Sequence, residues 1–263
     1  MIPIMIGRVR PVTQYDEVCS DLDRSFQRGG QEPLTLVRLV GLLFARPASP
    51  LAKEEVIPNL SYLHHRSADF VHFYCGGYWE GSVPPDAETG RIQVANGWMY
   101  SDEVFNNVRK EVESRTSWHY SGGVDLILTN ARYRPRRGSW SELLFTDDRP
   151  RSYLDFSSSI VVNLEQLKQT DSLPSVATLF EGICRYAERT NHQDPAWSLS
   201  DRLGGALAVE ALKEIVLCAL PEAVRDKAKV AFQYPVRDIS RDAAKRQASK
   251  GWRTLWTRLT GSA

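Results

Sequence analysis

The chain has 263 residues, of which 42% are hydrophobic and 25% are charged, and its formal net charge is +1. This length and composition suit a globular protein with a buried core and exclude a wholly disordered chain. Because the net charge is close to zero, a nucleic acid or an anionic membrane would have to be bound by a local basic patch. The 17 glycines and 14 prolines follow no repeat, which excludes a collagen-like sequence.

The four cysteines form no Cys-x-x-Cys pair, so zinc-ribbon and dithiol redox spacings are absent. The apolar run at the N-terminus is short and has neither a preceding basic region nor a small-residue cleavage site. No apolar stretch in the front half approaches the ~20 residues of a membrane span. We therefore expect a cytoplasmic protein with its cysteines in the core and without a transmembrane segment.

The first 33 residues predict an N-terminal extension made of one strand and one helix. Residues 2–9 are mostly apolar and predict the strand. Residues 15–28 carry Val18, Leu22 and Phe26 at every fourth position, which is typical of one face of a helix.

Residues 34–173 predict an α/β core. Segments rich in branched and aromatic residues predict four strands, at 34–45, 69–74, 124–130 and 153–164. Between them, helical spacing predicts a helix at 51–66 that Pro58 kinks, and a helix from 101 to about 117 that Ser101 caps. Residues 79–100 predict a loop with a short strand at 91–95.

From position 174 to position 263 the pattern predicts an all-helical C-terminal region. Helical spacing of apolar residues occurs at 176–189, 199–219, 221–232 and 239–259. Strands that alternate with amphipathic helices, followed by helices alone, are typical of an α/β fold. We expect a mixed, mostly parallel central sheet flanked by helices, in which the strands near 36–45, 69–75 and 124–130 are neighbours.

The order of elements between about Leu34 and Arg189 resembles the thioredoxin-like fold. The first predicted strand ends in Phe44 and Ala45, and the helix after it contains the kinking Pro58. Where that family carries two redox cysteines, this chain has residues 48–51 (Ala-Ser-Pro-Leu), and the family's cis-proline position holds residues 121–123 (Ser-Gly-Gly). The resemblance implies a member without dithiol chemistry, since disulfide exchange needs an attacking thiolate.

Three residues are candidates for metal-dependent catalysis. Asp125 lies on a predicted strand, and Glu165 and Lys168 follow the next strand. Nucleases of the restriction-enzyme type combine a strand aspartate with an E-x-K motif, whose acids hold Mg²⁺ and whose lysine assists the attacking water. Here the spacing is E-x-x-K, which on a strand directs the two side chains to opposite faces.

Other catalytic and metal-binding patterns are absent from the sequence. The five histidines do not have the spacing of a closed zinc site, so no metal centre is predicted from them. Neither of the common phosphate-binding loops occurs, and no G-x-S-x-G nucleophile motif occurs. We therefore expect no cofactor, apart from Mg²⁺ if Asp125, Glu165 and Lys168 form a catalytic site.

The last predicted helix has an apolar face that carries two tryptophans among basic residues. Between residues 224 and 263, ten basic residues stand against three acidic ones. The apolar face consists of Ala248, Trp252, Leu255, Trp256 and Leu259. The predicted partner-binding residues are Lys245, Arg246, Lys250, Trp252, Arg253 and Trp256.

These patterns favour a non-catalytic protein-interaction subunit that docks through this C-terminal helix on another protein subunit or on a second copy of the chain. The alternative is a Mg²⁺-dependent nucleic-acid hydrolase that uses Asp125, Glu165 and Lys168. In either case the C-terminal helix and the arginine-rich loop 132–151 form a basic surface suited to nucleic acid. A third hypothesis is a thioredoxin-like protein without redox activity that binds peptides along a strand edge.

Overall fold

A computed structural model describes residues 2–3, 14–26, 37–66, 71–80, 91–95, 97–133, 152–191, 213–225 and 236–239 of the chain. In these residues, helices cover a central mixed sheet, which confirms the predicted α/β class. The described strands are, in chain order, β1 (Ile2–Pro3), β2 (Val37–Ala45), β3 (Val71–Cys75), β4 (Tyr78–Glu80), β5 (Arg91–Ala95), β6 (Trp98–Ser101), β7 (Val124–Tyr133), β8 (Ser152–Asn163) and β9 (Val236–Asp238).

Six of the described strands form the central sheet, in the order β1-β3-β2-β7-β8-β9. The prediction that β2, β3 and β7 are neighbours is therefore confirmed. Strands β1, β3 and β2 run parallel to one another. Strand β7 is antiparallel to β2, β8 is antiparallel to β7, and β9 is antiparallel to β8. The expected predominance of parallel pairs is wrong for the described strands.

The route of the chain between β3 and β7 explains the direction of β7. The helix α3 (Asp102–Arg115) starts at the edge where β3 ends, since the backbone N–H of Ser101 donates to the carbonyl of Gly77. After α3 the chain returns to that edge, where the ring of Tyr120 contacts the ring of Phe105. Strand β7 therefore begins beside the end of β2. The β-α-β pattern in the sequence gives no sign that the chain returns to this edge, so it did not predict an antiparallel β7.

The helices cover both faces of the sheet. They are α1 (Gln14–Phe26), α2 (Leu60–Arg66), α3, α4 (Leu164–Gln169) and α5 (Val176–Asn191). Helix α1 lies against β7, β8 and α3 on one face. On the opposite face Phe180 of α5 packs against Phe73 of β3, with ring centroids 4.4 Å apart. Both faces of the middle strands are buried in consequence, which explains their nearly continuous apolar sequences.

The helical segment between β2 and β3 is irregular, as Pro58 predicts. It begins with π-helical turns at Ala52–Val56, continues as a 3₁₀ turn at Ile57–Asn59 and ends as α2. Proline has no N–H to donate and its ring collides with the preceding turn, so a regular α-helix cannot continue through it. The segment keeps its apolar side buried through Ala52, Val56 and Leu60.

A second sheet of three antiparallel strands, in the order β4-β6-β5, follows β3 directly. The sequence predicted β5 but assigned the rest of residues 79–100 to a loop, because β4 and β6 have only three and four residues. The turn before β4 depends on Gly77, whose φ of +85° is accessible to glycine. A side chain there would also collide with Phe105 and Tyr100.

The predicted all-helical region from 174 to 263 contains a strand, so that prediction is wrong. Residues 213–219 and 222–225 are helical, but β9 joins the central sheet at the edge formed by β8. Three residues are too few to show a periodicity, and only the pairing with β8 makes them a strand. The predicted helix at 239–259 lies outside the described residues, except for Ile239.

One hydrophobic core connects the three predicted regions. It contains Val18 and Leu22 of α1, the apolar residues of β2, β3, β7 and β8, and Ile215, Leu220 and Ile239 from the C-terminal part. Helix α5 approaches residues 213–219 so closely at Gly182 that a Cβ atom there would collide with the backbone of Ala219. The N-terminal strand and helix thus belong to the same packed structure as the α/β core.

Candidate functional site

Polar side chains gather at the edge of the central sheet where β2 ends and β7 begins. Ala45, the last residue of β2, is paired with Val124, the first residue of β7. Next to this pair, Asp125 of β7 is paired with Asn163 at the end of β8. The loop that contains Arg46 and Ser49, the residues 116–123 and the start of α4 therefore meet at one edge. Open α/β sheets commonly bind ligands at such an edge.

Asp125 is a buried carboxylate with four hydrogen-bond donors and a relative exposure of 1%. Its Oδ1 accepts from the Ser121 hydroxyl at 2.8 Å and from the Asn163 amide at 3.1 Å. Its Oδ2 accepts from the Trp118 indole N–H at 3.1 Å and from the Ser121 backbone N–H at 3.0 Å. Burial raises the pKa of Asp125, against the opposing effect of the Ser121 and Trp118 donors. This carboxylate joins three chain segments.

Glu165 lies on the first turn of α4 and interacts with the loop after β2. The hydroxyl of Ser49 donates to Glu165 Oε1 at 2.7 Å and accepts from the backbone N–H of Ala52 at 3.3 Å. The carboxylate packs on Gly123, where a Cβ atom would collide with it. Ser49 therefore both caps the irregular helix and connects it to α4.

Lys168 interacts with a different part of the protein. Its Nζ lies 2.6 Å from Glu55 Oε1 and donates to the carbonyl of Pro174 at 3.4 Å. The other oxygen of Glu55 accepts from the backbone N–H of Val176 at 2.6 Å. Lys168 thus connects α4 to the start of α5.

Each of the three catalytic candidates is bonded to a different set of neighbours. Asp125 is bonded to Ser121, Trp118 and Asn163, Glu165 to Ser49, and Lys168 to Glu55. Glu165 and Lys168 both lie on α4, so they do not occupy the strand that an E-x-K motif would use. Among the described residues, no group of three histidine, cysteine, aspartate or glutamate side chains is arranged to hold a metal ion.

Arg46, directly after β2, is a residue at this edge that the sequence analysis did not single out. Its guanidinium carbon lies 5.1 Å from the ring centroid of Phe105 and 5.9 Å from that of Tyr120. Its Nη2 donates to the Asn106 side chain at 3.1 Å, and its Nε lies 3.5 Å from Asp102 Oδ1. The only signal for this site in the sequence is its set of aromatic residues, at positions 44, 78, 100, 105, 118 and 120. Their spacing does not indicate that they cluster in the fold.

Three tyrosine hydroxyls belong to this aromatic cluster. Tyr100 donates to Asp102 Oδ1 at 2.8 Å, and Tyr120 donates to the carbonyl of Gly123 at 2.6 Å. Burial raises the pKa of Tyr120 to about 12 and also raises the pKa values of Tyr78 and Tyr100. Tyr78 is fully buried, and its hydroxyl has no hydrogen-bond partner in the described part of the chain. The cluster therefore combines apolar rings with hydroxyl groups that stay protonated.

A second concave region lies between α5 and residues 213–225 and has a volume of about 810 Å³. The charged groups that line it are bonded within the protein. Glu181 accepts from Tyr62 and pairs with Arg185, and Arg225 donates to the carbonyls of Cys218 and Leu220. These contacts hold the helices of the region together.

The remaining predicted sites lie mostly outside the described residues. These include the predicted partner-binding residues, Lys245, Arg246, Lys250, Trp252, Arg253 and Trp256, and all of the basic loop 132–151 except Arg132 and Tyr133 at the end of β7. Two of the five histidines have described partners, since His72 Nε2 lies 3.1 Å from Arg38 Nη1 and His64 lies 4.0 Å from Glu80.

Comparisons with known proteins identify no relative of this chain. No protein-family model matches the chain, and neither a curated protein nor a solved structure matches it. Among the helices in the described ranges, none is long and apolar enough to cross a membrane. The function must therefore be inferred from this chain's own residues.

Proposed function

We propose that this chain is a non-catalytic subunit of a larger protein assembly and docks through its C-terminal amphipathic segment, residues 239–263. The observation that carries the proposal is the apolar face with two tryptophans, Trp252 and Trp256, between basic residues. Tryptophan and arginine are enriched among the residues that contribute most to protein–protein binding. The partner is another protein subunit or a second copy of this chain.

The contacts of the candidate catalytic residues support the non-catalytic part of the proposal. The carboxylate of Asp125 already accepts two hydrogen bonds on each oxygen, and Lys168 pairs with Glu55. Ser49 and Glu165 are hydrogen-bonded, but a carboxylate is a weak general base for a serine hydroxyl. Ser49 also caps a helix and is only 7% exposed. Each of these side chains has a structural task that explains its position.

The alternative function, a Mg²⁺-dependent nucleic-acid hydrolase, has no such support. Two-metal and one-metal hydrolases direct several acidic oxygens at one ion, which Asp125 and Glu165 would reach only after losing their present bonds. Incubation of the protein with DNA and RNA, in Mg²⁺ or Mn²⁺, tests this alternative directly. Cleavage that is lost in Lys168→Gln, a change at a half-exposed side chain, would revive it.

We also infer that the core is thioredoxin-like without dithiol chemistry and that the protein is cytoplasmic. The first inference is supported by β2, which ends in Phe44 and Ala45, and by the irregular helix at Pro58 that follows it. The second is supported by the four cysteines, which form no disulfide bond in the described part of the chain, as is usual in a reducing compartment.

The docking segment is tested by a pair of double variants. We expect Trp252→Ala with Trp256→Ala to lower the assembly mass in light scattering, or to release a co-purified protein that mass spectrometry identifies and that binds again when added back. Thr254→Ala with Thr257→Ala is the matched control, because helical spacing places these residues on the opposite face. Equal behaviour of the two double variants and the unchanged chain would contradict the proposal.

A further inference from the structure

Ile239, the last residue that the structure describes, leaves the sheet beside the end of α3. Its N–H donates to the carbonyl of Ser159 at 3.0 Å, which continues the pairing of β9 with β8. Its carbonyl accepts from the N–H of Ser117 at 2.9 Å, two residues beyond α3. Two residues earlier on β8, the N–H of Ser157 donates to the carboxylate of Asp155 and is not available to a continuing strand. The residues after Ile239 therefore start between β8 and the end of α3.

A concave region of about 470 Å³ lies between the same two elements. Leu154 and Phe156 of β8 line it from the sheet, and Ser114 and Arg115 line it from the last turn of α3. The two apolar side chains are largely buried, whereas Ser114 and Arg115 are exposed, so the cavity has an apolar floor and a polar rim. An amphipathic helix fits such a surface, because its apolar side meets the floor while its charged side meets the rim and the solvent.

The length of chain after Ile239 brings a tryptophan to the level of this floor. Strand β9 is antiparallel to β8, so a chain that continues in its direction passes β8 from Ser159 towards Leu154. These five residues of strand span about 17 Å. In the helix that the sequence predicts, the thirteen residues from Ile239 to Trp252 span about 20 Å. Trp252 therefore reaches the level of Leu154.

Charge favours the same contact. Helix α1 lies against both α3 and β8, and its sequence contains four acidic residues and one basic residue. Residues 240–263 contain six basic residues and one acidic residue. The opposite charges attract, and the direct connection through Ile239 keeps the segment at a high effective concentration beside the cavity. Docking on the chain's own body therefore needs less binding energy than docking on a separate molecule.

We propose that residues 240–263 dock in the cavity between α3 and β8 of their own chain, with Trp252 on Leu154 and Phe156, and that a partner binds the segment only after it leaves this cavity. The inference rests on the proposed function, because it names what the docking segment contacts before the partner binds. The cavity and the partner compete for one apolar face, so the apparent affinity for the partner is reduced by the fraction of chains in which the segment is docked.

Disulfide trapping in the full chain tests the contact. Cys218, which is half-buried, is first replaced by serine, while the other three cysteines are buried and stay. Ser114→Cys then places a thiol at the cavity, and Ser249→Cys places one beside the predicted apolar face. In a glutathione redox buffer we expect this pair to form a disulfide within one chain, seen as a faster monomer band on a non-reducing gel. Asn107→Cys with Ser249→Cys is the matched control, because Asn107 is also exposed on α3 but lies about 10 Å away along the helix.

Substitutions in the segment show which of its faces makes the contact. Trp252→Ala should slow the trapping of the Ser114–Ser249 pair about fivefold or more, as expected for the loss of a central aromatic anchor. Thr254→Ala is the matched control, because helical spacing places Thr254 on the opposite face. With the partner that the tryptophan variants identify, the trapped chain should bind about tenfold more weakly than the same chain after reduction.

Four results would overturn the proposal. They are equal trapping of the two cysteine pairs, an equal effect of Trp252→Ala and Thr254→Ala, partner binding that reduction does not strengthen, and a disulfide that joins two chains, which would make a second copy the occupant. Ser114 and Asn107 are exposed, so the cysteine variants are expected to stay folded. The proposed function fails when the double tryptophan variant leaves the assembly unchanged, whatever the trapping shows, so the two failures are distinguishable.

Discussion

Towards the two ends of the β7–β8 pair lie aspartates that accept similar hydrogen bonds from a serine two or four residues away, yet their pKa values are shifted in opposite directions. At one end Asp125 accepts from the backbone N–H and hydroxyl of Ser121. At the other end Asp155 accepts from the backbone N–H and hydroxyl of Ser157. Asp155 also forms an ion pair with Arg132, whereas the donors that bond Asp125 are neutral and the charge of Arg237 lowers its pKa less than these donors do.

The two acids differ in the direction of their pKa shift. Burial raises the pKa of Asp125, and its neutral donors do not overcome that effect. Burial also opposes ionisation of Asp155, but the Ser157 hydrogen bonds together with Arg132 lower its pKa. Burial therefore prevails at Asp125, while at Asp155 the Ser157 hydrogen bonds and the bond and charge of Arg132 together outweigh it. A strand aspartate in a sequence is therefore weak evidence for catalysis until its donors are known.

Removal of the Asp125 carboxylate is expected to have the largest effect. Asp125→Ala leaves the buried indole N–H of Trp118 and the amide of Asn163 without their acceptor. We expect the free energy of unfolding to fall by about 3 kcal/mol, the upper part of the range for buried unsatisfied donors. Urea denaturation at neutral pH measures it. A loss no greater than that of a surface substitution would show that this network does not hold the three segments together.

Removal of Asp155 is expected to cost less. Asp155→Ala leaves Arg132 without its carboxylate, but this side chain is 26% exposed, and water replaces part of the lost interaction. We expect a loss of about 1.5 kcal/mol in the same denaturation experiment. Ser157→Ala removes the hydroxyl donor of Asp155 but keeps the ion pair with Arg132, so a smaller loss in this variant than in Asp155→Ala isolates the contribution of the ion pair.

The two aspartates should also respond to pH with opposite signs. The raised pKa of Asp125 means that the folded protein holds its proton more tightly, so this group adds stability as the pH falls from its raised pKa toward the ordinary value of 3.8. The lowered pKa of Asp155 adds stability above 3.8 that is lost as the pH falls through the lowered value. The penalty of Asp125→Ala should therefore grow on acidification, while that of Asp155→Ala shrinks. Slopes of the same sign would contradict the comparison.

The smallest effect is expected at Gly123. A Cβ atom at this position would collide with the carboxylate of Glu165, which is the flexible end of a side chain. Gly123→Ala should therefore displace Glu165 from Ser49 and lower the free energy of unfolding by about 1 kcal/mol. Ser49→Ala in the same background should then cost less than it does alone, because the bond is already broken. Additive losses would show that Glu165 stays in place.

Much of the fold could be predicted because its elements have strong local patterns. These patterns involve only residues that are neighbours in the chain. They are the apolar sequence of β2, the four-residue spacing of Val18 and Leu22 in α1, and the cap Ser101 at the start of α3. The structure places these elements within a few residues of their predicted bounds. By contrast β4, β6 and β9 have three or four residues, too few for a period, and they become strands only by pairing.

The candidate site could be predicted only in its residue types. The sequence singled out Asp125 and Glu165, but the donors Ser121, Asn163 and Ser49 that define what these acids do come from other segments. Arg46 was not found, because its partners Phe105, Asn106 and Tyr120 lie about 60 or more residues away in the chain.

The amino-acid sequence by itself determined that this protein alternates buried strands with amphipathic helices, since burial of apolar faces acts on each segment locally. Only the tertiary structure decided the direction of β7, the joining of β9 to the sheet and the burial of Asp125. The physical reason is that strand pairing, desolvation and charge pairing depend on distances between segments that are remote in the chain.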